Sequence, residues 1–190
     1  MKSKSVYFAL LLFVISNSLM SQTFDFRNTK WGMDTTMVKK AEASKLVIVK
    51  KNHFVYKGKL NDWDAKIIYD FNSAGLLYHA SYDLTLDSKI PSAYVDTYLM
   101  LQELLTRKYK EPYSSISTSI NGKTLKQDEW AFNLISDNLS LETKWKSNNT
   151  DIVLTLYSIN DELFIEISYT SIDQNNKEKE AIKSEILKAL

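Results

Sequence analysis

The chain has 190 residues, no cysteine, and 24 basic against 23 acidic side chains. The lack of cysteine excludes disulfides, thiolate nucleophiles and cysteine zinc sites. A near-neutral balance with only two arginines, Arg27 and Arg107, excludes the basic footprint that nucleic-acid binding requires, and makes anionic membranes poor partners.

In chain order, Lys2 and Lys4 come first, and a short apolar run from Val6 to Ile15 follows. Small and polar residues end it at Ser18-Leu19-Met20-Ser21. This is the pattern of a secretory signal peptide over residues 1–21, with Ser18 as a second possible cleavage point. The run is about half of the ~20 residues that a membrane-spanning helix needs, so a retained anchor is the weaker reading. Without residues 1–21 the chain carries 22 basic and 23 acidic side chains, a net charge near −1. No later stretch is apolar enough to span a bilayer. The expectation is an exported bacterial protein, periplasmic or secreted. Without disulfides it depends on its hydrophobic core, which about 170 residues suffice to build.

Residues 22–171 read as one domain. A first short helix starts at Asp34, whose carboxylate suits an N-cap, and ends near Ser44. Met33 and Val38 have the spacing of a hydrophobic staple. Gly32 permits a turn ahead of the cap, and Trp31 is expected to pack the helix onto the sheet edge. Leu46 to Val49 is a short strand. Phe54 and Tyr56 share a face of the next. Ala65, Ile67, Tyr69 and Phe71 share a face of a third, and Leu76, Tyr78, Ala80, Tyr82 and Leu84 a face of a fourth. Polar residues alternate with them, which is the pattern of antiparallel strands with one buried face.

A second helix runs from Pro91 to Tyr109, with Tyr94, Tyr98, Leu101 and Leu105 as its apolar stripe and Leu104 widening it. Pro112 stops it. Residues 113–127 read as a polar loop or loose hairpin. Four strands are expected over 128–135, 139–147, 151–158 and 162–171, with turn residues between them. Residues 172–190 form a charged helix or tail, with Ile182, Ile186 and Leu190 spaced four apart.

Adding 87 to positions in the first half brings Phe54 onto Leu141, Ile67 onto Leu154, Ala80 onto Ile167 and Tyr82 onto Tyr169. The expected fold is therefore α+β. Two tandem units of a helix and four antiparallel strands, residues 26–85 and 91–171, form one curved sheet with helices packed on one face.

The segment Lys30-Trp31-Gly32-Met33 with Val38, followed by the strand pattern through Tyr69-Asp70-Phe71-Asn72 and Leu76, resembles exported bacterial proteins of the β-lactamase-inhibitor-protein-like type. The start of the first helix is also similar to small outer-membrane lipoproteins of the SmpA/OmlA group. The resemblance implies tandem helix-and-sheet units whose concave sheet face binds a partner protein. The chain departs from these families in lacking a lipid-bearing cysteine and a disulfide. Lys110 also stands where such helices often end in glycine.

Motifs of catalysis are missing. His53 and His79 are the two histidines, on separate segments without metal-ligand spacing. His79 reads as a solvated surface residue. No nucleophile elbow, phosphate loop or calcium loop occurs. Asp151 and Asp161-Glu162 read as strand-edge charges. No catalytic residue, metal ligand or cofactor is expected. The positive signal is aromatic and mixed in character, on the face opposite the core. Tyr157, Phe164, Lys144, Glu166 and Val153 share it on the second sheet half, and Ile68 and His79 on the first. The expected function is non-enzymatic binding of another exported or envelope protein through this face. The alternative is a small-ligand or lipid carrier with an internal apolar cavity.

Overall fold

A computed structural model describes residues 24–190. The signal peptide read over residues 1–21 lies outside the described residues. The fold is α+β, with four helices and one eight-stranded antiparallel sheet that does not close. In chain order the elements are α1 (Thr35–Ala41), β1 (Lys45–Lys50), β2 (His53–Leu60), β3 (Trp63–Phe71), β4 (Leu77–Thr85), α2 (Pro91–Tyr109), β5 (Ser114–Ser119), α3 (Gln127–Ile135), β6 (Leu139–Ser147), β7 (Thr150–Ile159), β8 (Glu162–Ser171) and α4 (Ile172–Ala189). The strand order is β1-β2-β3-β4-β8-β7-β6-β5, so the two halves meet where β4 pairs with β8. No helix among the described residues is long and apolar enough to cross a membrane.

The segment before α1 clamps the start of the domain. Asp34 caps α1 by accepting the amides of Thr36 and Met37, both at 2.8 Å. Gly32 has φ +83°, a left-handed conformation that costs glycine little. It donates its amide to the Leu77 carbonyl at 2.9 Å, and Leu77 returns one to Met33 at 2.8 Å. The opening turn is thus stitched to the start of β4. Trp31 is half-buried and reaches β7 instead of the sheet edge, donating its indole N–H to Thr150 Oγ1 at 2.8 Å.

The core lies between the sheet and α1 to α3. Ile67, Tyr69, Ala80, Leu141, Trp145, Ile152, Leu154, Leu156 and Ile165 are buried on the inward face. In α2 the buried stripe is Val95, Tyr98, Leu101 and Leu105. Tyr94 is partly buried and Leu104 stays 50% exposed, so the stripe turns one residue from the expected one. Hydrogen bonds fix α2 on β6. Tyr98 Oη lies 2.7 Å from Thr143 Oγ1, Gln102 donates to the same oxygen at 2.9 Å, and the Trp145 indole donates to Thr106 at 3.3 Å. A Cβ at Gly58 in β2 would meet Ile67 Cδ1 at 2.5 Å and Ser44 Oγ at 2.7 Å, so those side chains would have to shift.

Three expectations change. Residues 128–135 are helical, not a strand. Trp130, Ala131 and Leu134 recur at helical spacing, Asp128 and Glu129 favour the first turn, and Glu129 accepts the Lys126 amide at 2.9 Å. The fourth strand of the second half is instead β5, inside the segment read as a loop or loose hairpin. In β4, Leu77 faces the core with Ala80, while Tyr78 is only half-buried. The register shifts between Asp70–His79 and Phe71–Leu77, so β4 holds an extra residue, a β-bulge that reverses the faces before it.

The last helix stands apart. Ser171 caps α4, which has no buried residue. Its first turns meet the β3–β4 turn, where Glu178 accepts the amide and hydroxyl of Ser73 at 2.9 and 2.7 Å.

Candidate functional site

The face of the sheet opposite the core is organised in rows that cross the strands. One row runs through every strand as Ile48, Val55, Ile68, Ser81, Ser168, Val153, Lys144 and Ser114. These side chains share one face because each pair is in register and the side-chain period is two. A second row on one side carries Lys57, Lys66, Asp83, Glu166, Thr155 and Glu142. A third on the other side carries His53, Asp70, His79, Thr170, Asp151 and Lys146. A band of small and apolar residues, interrupted by Lys144, is therefore flanked by two charged rows.

All seven residues singled out from the sequence lie on this face, and all are half-buried. Ile68, Val153 and Lys144 belong to the central row, Glu166 to the second and His79 to the third. Tyr157 and Phe164 pair directly across β7 and β8, and their rings stack with centroids 5.5 Å apart. Lys144 is tied to Glu142 at 2.8 Å, which holds its ammonium above the ordinary value.

The sequence places Glu166 on this face but does not show its acidic neighbour. Asp83 and Glu166 are directly opposite across β4 and β8. Burial raises both carboxyls above their ordinary values. For Asp83, Lys66 and His53 oppose the rise; for Glu166, the Ser81 hydroxyl opposes it while Asp83 and Asp70 add to it. Beyond them, His53 Nδ1 lies 2.6 Å from Asp70 Oδ1. The alternation had already put Asp70 and Asp83 on this face. What it lacked was the β4–β8 pairing, a contact between residues far apart in the chain.

His79 is not a solvated surface histidine. It is half-buried, with Nδ1 2.9 Å from Thr170 Oγ1. Burial lowers its pKa below 6.5, and nearby Asp70 offsets only part of that. Among the described residues, no group of three histidine or acidic side chains is placed to hold a metal ion.

A second polar cluster lies on the helix side. The Glu42 carboxylate accepts from Arg27 Nε at 2.7 Å and Nη2 at 3.2 Å, from the Tyr69 hydroxyl at 2.6 Å and from the Ser44 amide at 2.8 Å. Burial alone would raise its carboxyl. The bonds from Tyr69 and Ser44 and the charge of Arg27 outweigh that and hold it below 4.5. Nothing in the local sequence marks this cluster, because its members are spread over the segment before α1, the α1–β1 connection and β3.

Comparison with family models, with curated proteins and with solved structures finds no match for the chain.

Proposed function

We propose that the protein is exported by a leader over residues 1–21 and acts, without catalysis, by holding another exported or envelope protein on the outward face of its sheet. The observation that carries this reading is the Asp83–Glu166 pair. Like charges directly opposite on adjacent strands destabilise a sheet, and a sheet has no structural need of them. Lys66 offsets part of the charge. A lysine or arginine from a partner would neutralise the rest, and would regain in the complex the charge-assisted hydrogen bonds it had with water. The stacked Tyr157 and Phe164, with Val153 and Ile68, supply the apolar contact area that interface anchors provide.

The two-unit reading supports the same conclusion. Adding 87 to both members of the pair Phe54–Tyr69 gives the pair Leu141–Leu156, so β2–β3 and β6–β7 share one register. Between β3–β4 and β7–β8 the offset drops by two, which leaves every side chain on its face. Two such units would make one curved sheet, and curvature would gather the charged rows around a partner. This is the use of the sheet in the inhibitor-like proteins that the sequence resembles. An internal carrier cavity is the weaker reading, because Tyr56, Tyr69, Tyr98 and Trp145 fill the space between helices and sheet.

The test is affinity capture from an extract of the exported fraction, with mass spectrometry of what is retained. A partner retained by the wild type should be lost with Asp83→Asn/Glu166→Gln and with Tyr157→Ala/Phe164→Ala. Retention of the same proteins by both double variants would remove this face as the site.

A further inference from the structure

We infer that a cleft on the helix side is a binding site for a small carboxylate with an apolar or aromatic body. The cleft holds about 380 Å³ between residues 24–27, the C-terminal end of α2 and the β6–β7 turn. That lies within the ~300–1,000 Å³ of small-molecule sites. It is on the opposite side of the sheet from the rows described above, so the two sites can be tested separately.

The polar groups in it are mostly donors. Arg27 spends Nε and Nη2 on Glu42, Nη2 also donates to Ser44 Oγ at 3.4 Å, and Nη1 donates to the Tyr82 hydroxyl at 3.5 Å. A guanidinium has five donors, so one N–H of Nη1 remains for a ligand. Lys108 makes no ion pair among the described residues, and its ammonium sits 4.9 Å from the centroid of the Tyr109 ring. The acid in the lining is Asp25, and its Oδ2 already accepts the Trp31 amide at 2.9 Å. The walls are aromatic. Phe26 lies against Tyr82 and Tyr169 with centroids 4.9 and 5.2 Å apart, and Tyr109 completes the ring of walls. Two cationic groups over aromatic walls suit a carboxylate on a planar or apolar body.

The backbone points to the same place. Seven non-glycine residues among those described have positive φ. Five are Asn or Asp, the types that tolerate it best. The other two are Arg27, at φ 49°, and Lys110, at φ 72° and ψ −161°. Arg27 lines the cleft, and Lys110 directly follows Tyr109, which lines it too. Backbone strain of this kind collects at ligand sites, where the surrounding structure holds it.

The test is an NMR titration of the purified protein with phenylacetate, its uncharged analogue phenylacetamide, and sulfate. Phenylacetate should shift the amides of Lys108, Tyr109 and Asn148 with a Kd of about 1 mM, as expected for a ligand of this size. Phenylacetamide and sulfate should each bind at least ~10-fold more weakly, since each lacks one half of the recognition. Lys108→Ala should weaken phenylacetate by ~5-fold or more while leaving phenylacetamide unchanged. Tyr109→Phe, a milder change, should keep the fold and weaken phenylacetate less. Arg27 is left intact because Glu42 depends on it. Equal binding of phenylacetate and phenylacetamide, equal binding of sulfate, or no shift at about 20 mM would each overturn the assignment.

Discussion

The two faces of the sheet come from the same strands, one residue apart, and they are built differently. On the helix side Ile67, Leu154 and Leu156 are fully buried, and the buried Glu42 carboxylate is bonded to Arg27, Tyr69 and Ser44, while the Tyr56 hydroxyl is buried without a hydrogen-bond partner. One residue along, Ile68, Thr155 and Tyr157 remain half-buried, and carboxylates face each other without a bridging cation of their own. The inner face holds the protein together. The outer face tolerates a local electrostatic cost, which the proposed partner would offset.

Mutations should separate the two faces. The largest effect is expected from Trp145→Ala, which empties a fully buried site and removes the bond to Thr106. It should cost about 3–5 kcal/mol by urea denaturation, whereas Phe164→Ala should stay within ~1 kcal/mol. Similar losses from both would erase the distinction between the faces.

Glu42→Ala should come next, at about 2–4 kcal/mol, by stranding the partly buried Arg27 and the Tyr69 hydroxyl. The carboxyl of Glu42 is held below 4.5 in the folded state. The unfolded chain therefore binds the proton first as pH falls, so this contribution is present above 4.5 and is lost on acidification through the folded value. Stability measured against pH should fall less steeply below 4.5 in Glu42→Ala than in the wild type; parallel curves would show that the cluster does not carry this term.

The smallest effect has the opposite sign. Asp83→Asn removes one member of the like-charged pair and should stabilise the protein by ~0.5 kcal/mol at neutral pH. The folded-state values of Asp83 and Glu166 are raised, so wild-type stability is lost as pH rises through them. The advantage of the variant should accordingly vanish in acid. A destabilised Asp83→Asn would mean that Lys66 needs the carboxylate more than Glu166 is repelled by it.

Much of this arrangement is legible in the sequence. The alternation in β2, β3, β6, β7 and β8, the span of α2 and the cap at Asp34 follow from local spacing. So does the placing of Tyr157, Phe164, Lys144, Glu166, Val153, Ile68 and His79 on one face. Two local readings fail for physical reasons. In α3 the short apolar run fits either period, and the first-turn acids together with packing against α2 and the sheet decide for a helix. In β4 one extra residue reverses the faces at Tyr78, and neither alternation nor composition marks a bulge.

The sequence by itself determined which side chains can share a face, because the two-residue period of a strand is a property of the backbone. Tertiary structure alone decided which of them meet. The β4–β8 seam sets Asp83 against Glu166, and the packing of Phe26 on Tyr69, Tyr82 and Tyr169 puts Arg27 in one cleft with Lys108. Such contacts join residues far apart in the chain, and no local propensity encodes them.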